Sequence, residues 1–484
     1  MMNSFCSRRW VSYVMLLLAG AMVEELCGAD FDGTGVESKV RIVPVGRGYA
    51  LSHINATSFN RYNLLSVGKW QFVAYYNDRQ KVTVARRQIE ETKWQVFSTS
   101  FAANNIKDAH DVISIAVDGQ GRLHMSWGMH GDAFHYARSI GPVTGDAPIV
   151  FGPDSKMTGQ EDRVTYPEFC NLPDGGLLYM FREGMSGNGD TYLSRYDPAI
   201  GTWVPGHAAG ESHSPFIKGR GWTPNSNAYP NNFILDGQRR LHLVWTWRYN
   251  NDSPAKQRGY QTNHNLSYAR SADLGRTWTR IDGRPYVLPM TEFHQGSDPA
   301  SVAEVALSIP EGSSLINATS LTVDREDRPV VATWWAPDAR AGNHSRQYML
   351  VWYDGAQWRT SQITHRGVDY DSNGDGKSDP IPEARLYDFW MSRPTVVVDR
   401  NNRVIVVFND YMPGQHVTAA WSDDRVNWRL INLTTEKIGL WEPTYDVELW
   451  QRENNLHMLY QPLVLGQESS PVSVLEWDSK RTSQ

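Results

Sequence analysis

Short apolar runs separated by turn residues dominate the chain. One template recurs: an apolar run, an Asp, a few Gly or polar residues, then a second apolar run ending in an aromatic. It appears as ISIAVDGQGRLHMSW around Asp118, NLPDGGLLYMF around Asp174 and FILDGQRRLHLVW around Asp236. It returns as LTVDREDRPVVATW around Asp324 and VVVDRNNRVIVVF around Asp399, with a weaker copy, VELWQRENNLHMLY, from Val447 to Tyr460. Two β-type runs flanking a turn of Asp, Gly and Asn predict an antiparallel hairpin in each copy. No long helical periodicity intervenes.

Hairpins repeated at long, regular intervals predict an all-β chain. Radial repetition of small sheets satisfies the pattern, so a β-propeller is expected, with about seven four-stranded blades over residues 30–484. The 19 Trp and 22 Tyr suit blade cores filled with aromatics. A second motif, Ser271 and Asp273 followed by Gly275, Thr277 and Trp278, resembles the Asp-box of sialidase-like propellers. A degenerate copy joins Ser422, Asp423 and Asp424 to Trp428. Both are read as turn devices.

Arg8 and Arg9 precede an apolar run from Trp10 to Val23, and small residues follow up to Ala29. That is the pattern of a secretory signal over residues 1–29, so a secreted or periplasmic monomer is expected. Its removal leaves Cys170 as the sole cysteine, so no intrachain disulfide can form. The net charge of −6 argues against a nucleic-acid partner, and no later segment is apolar enough to span a membrane.

Comparing the copies with one another separates scaffold from chemistry. His124, His242 and His457 each follow a strand leucine and are read as scaffold. The open ends of three hairpins carry something else. His110 and His130 are equidistant from Gln120, Tyr166 and Arg182 from Asp174, and Tyr229 and Arg248 straddle the turn near Gln238. Residues equidistant from a turn face each other, so three pairs are expected at one end of the molecule. Asn317 and Arg393 lie near the openings of the next two copies. Two Arg, two Tyr and two His can hold a carboxylate and move protons. No Asp or Glu recurs at these positions, as an ordinary glycosidase would require, although Glu183 and Asp190 are near. No convincing G-x-S-x-G elbow occurs. Arginine on a carboxylate beside a proton shuttle suits β-elimination on a uronic acid.

Three stretches then carry a resemblance: DAHDVISIAVDGQGRLHMSWGMHGDAFHYARS, TYPEFCNLPDGGLLYMFREGMSGNGDTYLSRYD and TWTWR with the later TNHNLSYARSADLGRTW. They resemble the BNR-repeat polysaccharide lyases, and among those the ulvan lyases. The resemblance is strong from about Asp108 to Trp278 and looser beyond. It implies a seven-bladed propeller and an acidic polysaccharide substrate of sulfated rhamnose and uronic acid. It also implies elimination chemistry needing no cofactor. His110 and Tyr166 then match a proton-transfer pair, acid and base left open, and Arg182 a carboxylate neutraliser. His130, Tyr229 and Arg248 match the substrate-binding wall. Sialidases carry an early Arg-Ile-Pro, from which Arg41-Ile42-Val43-Pro44 departs. Two other readings stand beside the lyase. One is a non-catalytic carbohydrate-binding propeller stacking sugars on Trp127, Trp222, Trp245 and Trp247. The other is a rhamnosidase-like glycoside hydrolase.

Residues 369–383 form a separate feature. Asp371, Asn373, Asp375 and Asp379 place oxygens at alternate positions around glycines, which resembles a calcium loop without an in-register closing Glu. Cys170 and His264 are weaker candidates for structural zinc.

Overall fold

The computed structural model describes residues 40–479 except 160, 206–213, 251, 295, 318–319, 413 and 464–465. The signal-like segment, residues 1–29, lies outside the described residues. Among them are seven sheets, built mostly from antiparallel neighbours following one another along the chain, with one parallel pair between Ile217–Lys218 and Met290–Thr291. The first runs Leu64–Val67, Trp70–Tyr76, Val82–Gln88 and Gln95–Ser98. Two later sheets have the same four-strand meander, Ser320–Val323 to Trp358–Gln362 and Thr395–Val398 to Arg429–Asn432. The others depart from four strands. The second and seventh have three, and the third and fourth take up extra short strands.

First strands join one sheet to the next. Ile115 N–H donates to the Tyr62 carbonyl at 2.9 Å. Phe169 N–H donates to Ser114 Oγ at 3.0 Å, and Phe233 N–H to Glu168 Oε1 at 2.8 Å. Leu321 N–H reaches Asn232 Oδ1, and Val396 N–H reaches Ser320 Oγ. Thr395 Oγ1 donates to the Pro443 carbonyl, and Glu442 N–H returns to the Ala56 carbonyl at 2.7 Å. The strand Val40–Tyr49 pairs with Ser469–Trp477, so the first described strand completes the last sheet. No helix among the described residues is long and apolar enough to cross a membrane.

The Asp-centred turns gather at one end. Asp118 Oδ1 accepts the Gln120 and Arg122 amides, and Asp236 does the same for Gln238 and Arg240. Adjacent turns touch: Gly119 N–H donates to the Gly175 carbonyl at 2.8 Å. A Cβ on Gly119 would lie 2.8 Å from the Gly175 Cα, so only glycine allows this approach. His124 and His242 are buried and bond Asp118 and Asp236 through Nε2, with a tyrosine hydroxyl on each Nδ1. The Asp-box lies at this end too. Asp273 Oδ1 accepts the Thr277 N–H at 2.8 Å, and Trp278 is fully buried beneath it.

The copy from Val447 to Tyr460 is a correction. Its second half is the strand Leu456–Tyr460, but its first half is a helix, Val447–Glu453. Asp446 caps it by accepting the Leu449 N–H at 3.0 Å, and Asn454 ends it in the left-handed region at φ 60°. Leu449 and Trp450 face the core, and Gln451 reaches across to the Leu235 carbonyl on the fourth sheet.

Candidate active site

Strands that leave the Asp turns end together at the opposite rim. Leu177–Met185 carries Arg182, and Leu241–Tyr249 carries Arg248. Tyr166 lies on Arg163–Asn171, where the register shifts between Thr165 and Glu168. It adopts φ 54°, a left-handed conformation that is costly for a side chain of this size. The irregularity turns its ring onto Phe59, stacked at 4.6 Å. The predicted pairings are therefore displaced. Arg182 pairs with Thr165, and Arg248 with Asn227. His130 leaves its own hairpin and pairs with Thr165 of the next sheet, and His110 lies in the loop before its strand.

The six side chains nevertheless form one cluster. The His110 and His130 rings stack at 4.2 Å, and His110 lies 5.8 Å from the Tyr166 ring. The Arg182 guanidinium sits between Tyr166 and Tyr229, 5.0 Å from each ring. It is only 4% exposed, and its Nε and Nη1 have no hydrogen-bond partner among the described residues. A buried guanidinium with two nitrogens lacking acceptors is costly, so this one is poised for an anion. Arg248 lies 4.8 Å from the Tyr229 ring. Its partners are neutral: Asn263 at 2.7 Å, Ser186 at 3.1 Å and Asn317 at 2.9 Å.

Asp108 and Ser186 were not evident in the hairpin pattern, whereas Arg393 lies near a predicted opening. Asp108 bridges the imidazoles, with Oδ1 2.6 Å from His110 Nδ1 and Oδ2 2.8 Å from His130 Nδ1. The spacing D-x-H was its only signal. Ser186, at a hairpin tip, lies 3.4 Å from the Tyr229 hydroxyl. Arg393 pairs with Glu442 at 2.8 Å, stacks over Phe59 and donates to the Asn317 carbonyl.

The electrostatics divide the titratable groups. Burial acts to raise Asp108, but hydrogen bonds from His110 and His130 hold it far below the usual carboxylate range. Burial lowers His110, with Asp108 opposing, so its imidazole is neutral at neutral pH. Burial pushes Tyr166 up to about 12 despite Arg182. For Tyr229 burial also acts upward, but Arg182 and Arg248 prevail and bring it down to about 8.

The residues of the other expected sites pack or bond within the protein as follows. Trp127, Trp245 and Trp247 are fully buried, so they offer no stacking surface; Trp222 is partly exposed. Asp371 accepts the Asn373, Gly374 and Gly376 amides, Asn373 the Asp375 amide and Asp375 the Lys377 amide. Asp379 accepts the Ser372 N–H at 2.8 Å. These oxygens serve their own loop. Cys170 is a buried free thiol, while His264 is held by Glu292 at 2.6 Å and the Thr262 carbonyl. Among the described residues, one group of three places metal-ligating atoms together, Asp108, His110 and His130, and each Nδ1 there already meets Asp108.

Known proteins share this architecture. The solved structure of a polysaccharide lyase covers 91% of this chain and 99% of its own, at TM-score 0.65 and 12% identity. A PL25 ulvan lyase bound to a repeat of glucuronic acid and 3-sulfated rhamnose covers 90% of this chain and 96% of its own, at TM-score 0.60 and 13% identity. In sequence, the ulvan lyase long isoform of Alteromonas sp. (strain LOR) is 25% identical over 222 residues, 38% of this chain and 22% of its own length. The long isoform of Glaciecola sp. (strain KUL10) is 28% identical over 211 residues, 36% of this chain and 20% of its own length. The match thus spans about a fifth of these curated relatives. The family model described as BNR repeat-containing family member matches residues 70–366. With most of its length under that match, the chain belongs to the BNR repeat-containing family.

Proposed function

We propose that the chain is an exported lyase that cleaves a uronic-acid-containing polysaccharide of the ulvan type by β-elimination. In this reading the seven sheets are seven blades of a closed propeller, and the site sits at the rim where its strands converge. The observation carrying the proposal is Arg182: a buried guanidinium, short of acceptors, between two tyrosines and beside a carboxylate-bridged histidine pair. Its likeness to ulvan lyases in sequence and fold supports the substrate class.

The chemistry follows from the charges. The uronate carboxylate docks on Arg182 and Arg248, which withdraw charge and acidify the C5 proton. His110 donates Nδ1–H to Asp108, leaving the Nε2 lone pair to take that proton. The C5 electron pair forms the C4–C5 double bond as the C4–O4 bond breaks. Tyr166, kept protonated by burial, gives its proton to O4. His130 shares Asp108 and holds the stack. Arginine does the charge neutralisation, so no step requires a metal ion.

Incubating the protein with ulvan tests the reading. The expected result is a rising ultraviolet absorbance from unsaturated uronides. New reducing ends without that absorbance would favour hydrolysis, and binding without either would favour a non-catalytic propeller.

A further inference from the structure

The long connection between Trp358–Gln362 and Thr395–Val398 reaches the catalytic cluster through Arg393, which donates to the Asn317 carbonyl and stacks over Phe59. Buried polar groups pin it. Arg346 Nη2 donates to the Phe389 carbonyl at 2.7 Å, and Tyr411 N–H to the Trp390 carbonyl at 3.0 Å. Arg346 and Arg366 both hold the buried Asp369, and the Tyr260 hydroxyl donates to the Ile381 carbonyl at 2.8 Å. The tip of this anchored connection presents Tyr387, which is 57% exposed. Its ring lies 6.0 Å from Trp390 at an interplanar angle of 16°. His53 stands edge-on to both rings, at 5.9 and 5.7 Å. Burial lowers His53 to about 4, so it meets a ligand as a neutral donor and acceptor. Three residues beyond Trp390, Arg393 stacks over Phe59 at 4.3 Å, and the Phe59 ring in turn meets His110 and Tyr166, so the platform adjoins the catalytic cluster.

We propose that Tyr387, backed by Trp390 and flanked by His53, is a subsite for a neighbouring sugar ring of the same polysaccharide chain whose uronate occupies Arg182. The inference rests on the lyase reading for the identity of that chain. A pyranose presents a C–H face to an aromatic ring and hydroxyls at its edge. Tyr387 offers the face, and the His53 imidazole offers a partner for a hydroxyl. An exposed aromatic ring held by buried ion pairs loses little entropy on binding, which is what makes it effective as a platform.

The test measures binding of ulvan oligosaccharides of graded length by calorimetry, with His110→Ala preventing turnover. Adding Tyr387→Ala should weaken binding of long oligosaccharides about tenfold and leave the shortest bound oligosaccharide unaffected. Tyr387→Phe in the same background should bind like the tyrosine, because the aromatic face is kept. Equal affinities with and without Tyr387 on long chains would overturn the subsite. So would an equal loss at every length, or no binding at any length. The measurement is independent of catalysis. A length-dependent loss in a protein that yields no unsaturated uronide would keep the subsite and remove the lyase.

Discussion

In the proposed elimination, Arg182 is the residue on which the chemistry turns. Replacing it with Ala removes the charge facing the uronate, and one lost transition-state partner of this kind costs about 10²–10³-fold in turnover. Circular dichroism and melting temperature should stay near wild type, because Arg182 has few partners to lose. Tyr229 sets the alkaline limit. Above about 8 it ionises and its phenolate competes with the substrate carboxylate for Arg182 and Arg248. KM should therefore rise as pH passes about 8, and Tyr229→Phe should abolish that rise. A kcat/KM that instead climbs through this pH, and loses the climb in the variant, would make Tyr229 the base. On the acid side, activity should fall as His110 takes a proton, below its ordinary range because burial lowers it. Symmetry about the turns pointed to one rim for His110, Tyr166 and Arg182, where their side chains do meet, although His110 lies in a loop and the pairings are displaced. Asp108 and Ser186 come from loops, which carry no repeat to compare. The tryptophans misled for another reason: the strands carrying Trp127, Trp245 and Trp247 are buried on both faces, so the rings fill the core.

Elements were legible where the turn chemistry was regular. Asp118, Asp236, Asp324 and Asp399 each accept two amides of their own turn and Asp174 accepts one, so the residue that defines the pattern also builds it. Two elements escaped this logic. The bulge at Tyr166 has no sequence signature beyond a following proline, yet it aims the ring and shifts the pairing. The copy at Val447 kept its strand and exchanged the other half for a helix, since Asp446 caps it and straight-chain residues fill it. Asp446 is fully buried and also accepts from Gln71 at 2.8 Å and from Ser66. Asp446→Ala should thus cost about 2–4 kcal/mol by removing the cap and leaving two donors unpaired. Urea unfolding would read this as a lower midpoint. An unchanged midpoint would mean the helix is held by packing alone.

At the scale of the molecule, the first described strand closes onto the last sheet, and inner-strand hydrogen bonds run from each sheet to the next. A chain lacking residues 1–49 should lose cooperative unfolding or melt far lower, because the strand Ser469–Trp477 would keep only one neighbour. Retention of the wild-type melting temperature would count against closure through this strand. The repeat announced a succession of small sheets, but their sizes depended on insertions that repeat spacing averages out. The central claim joins this frame to elimination at Arg182. Its most direct test is to count unsaturated uronide ends against new reducing ends in one ulvan digest. Elimination predicts one unsaturated end for every new reducing end, with both lost in Arg182→Ala. Reducing ends in excess of unsaturated ends, or full activity in that variant, would contradict it.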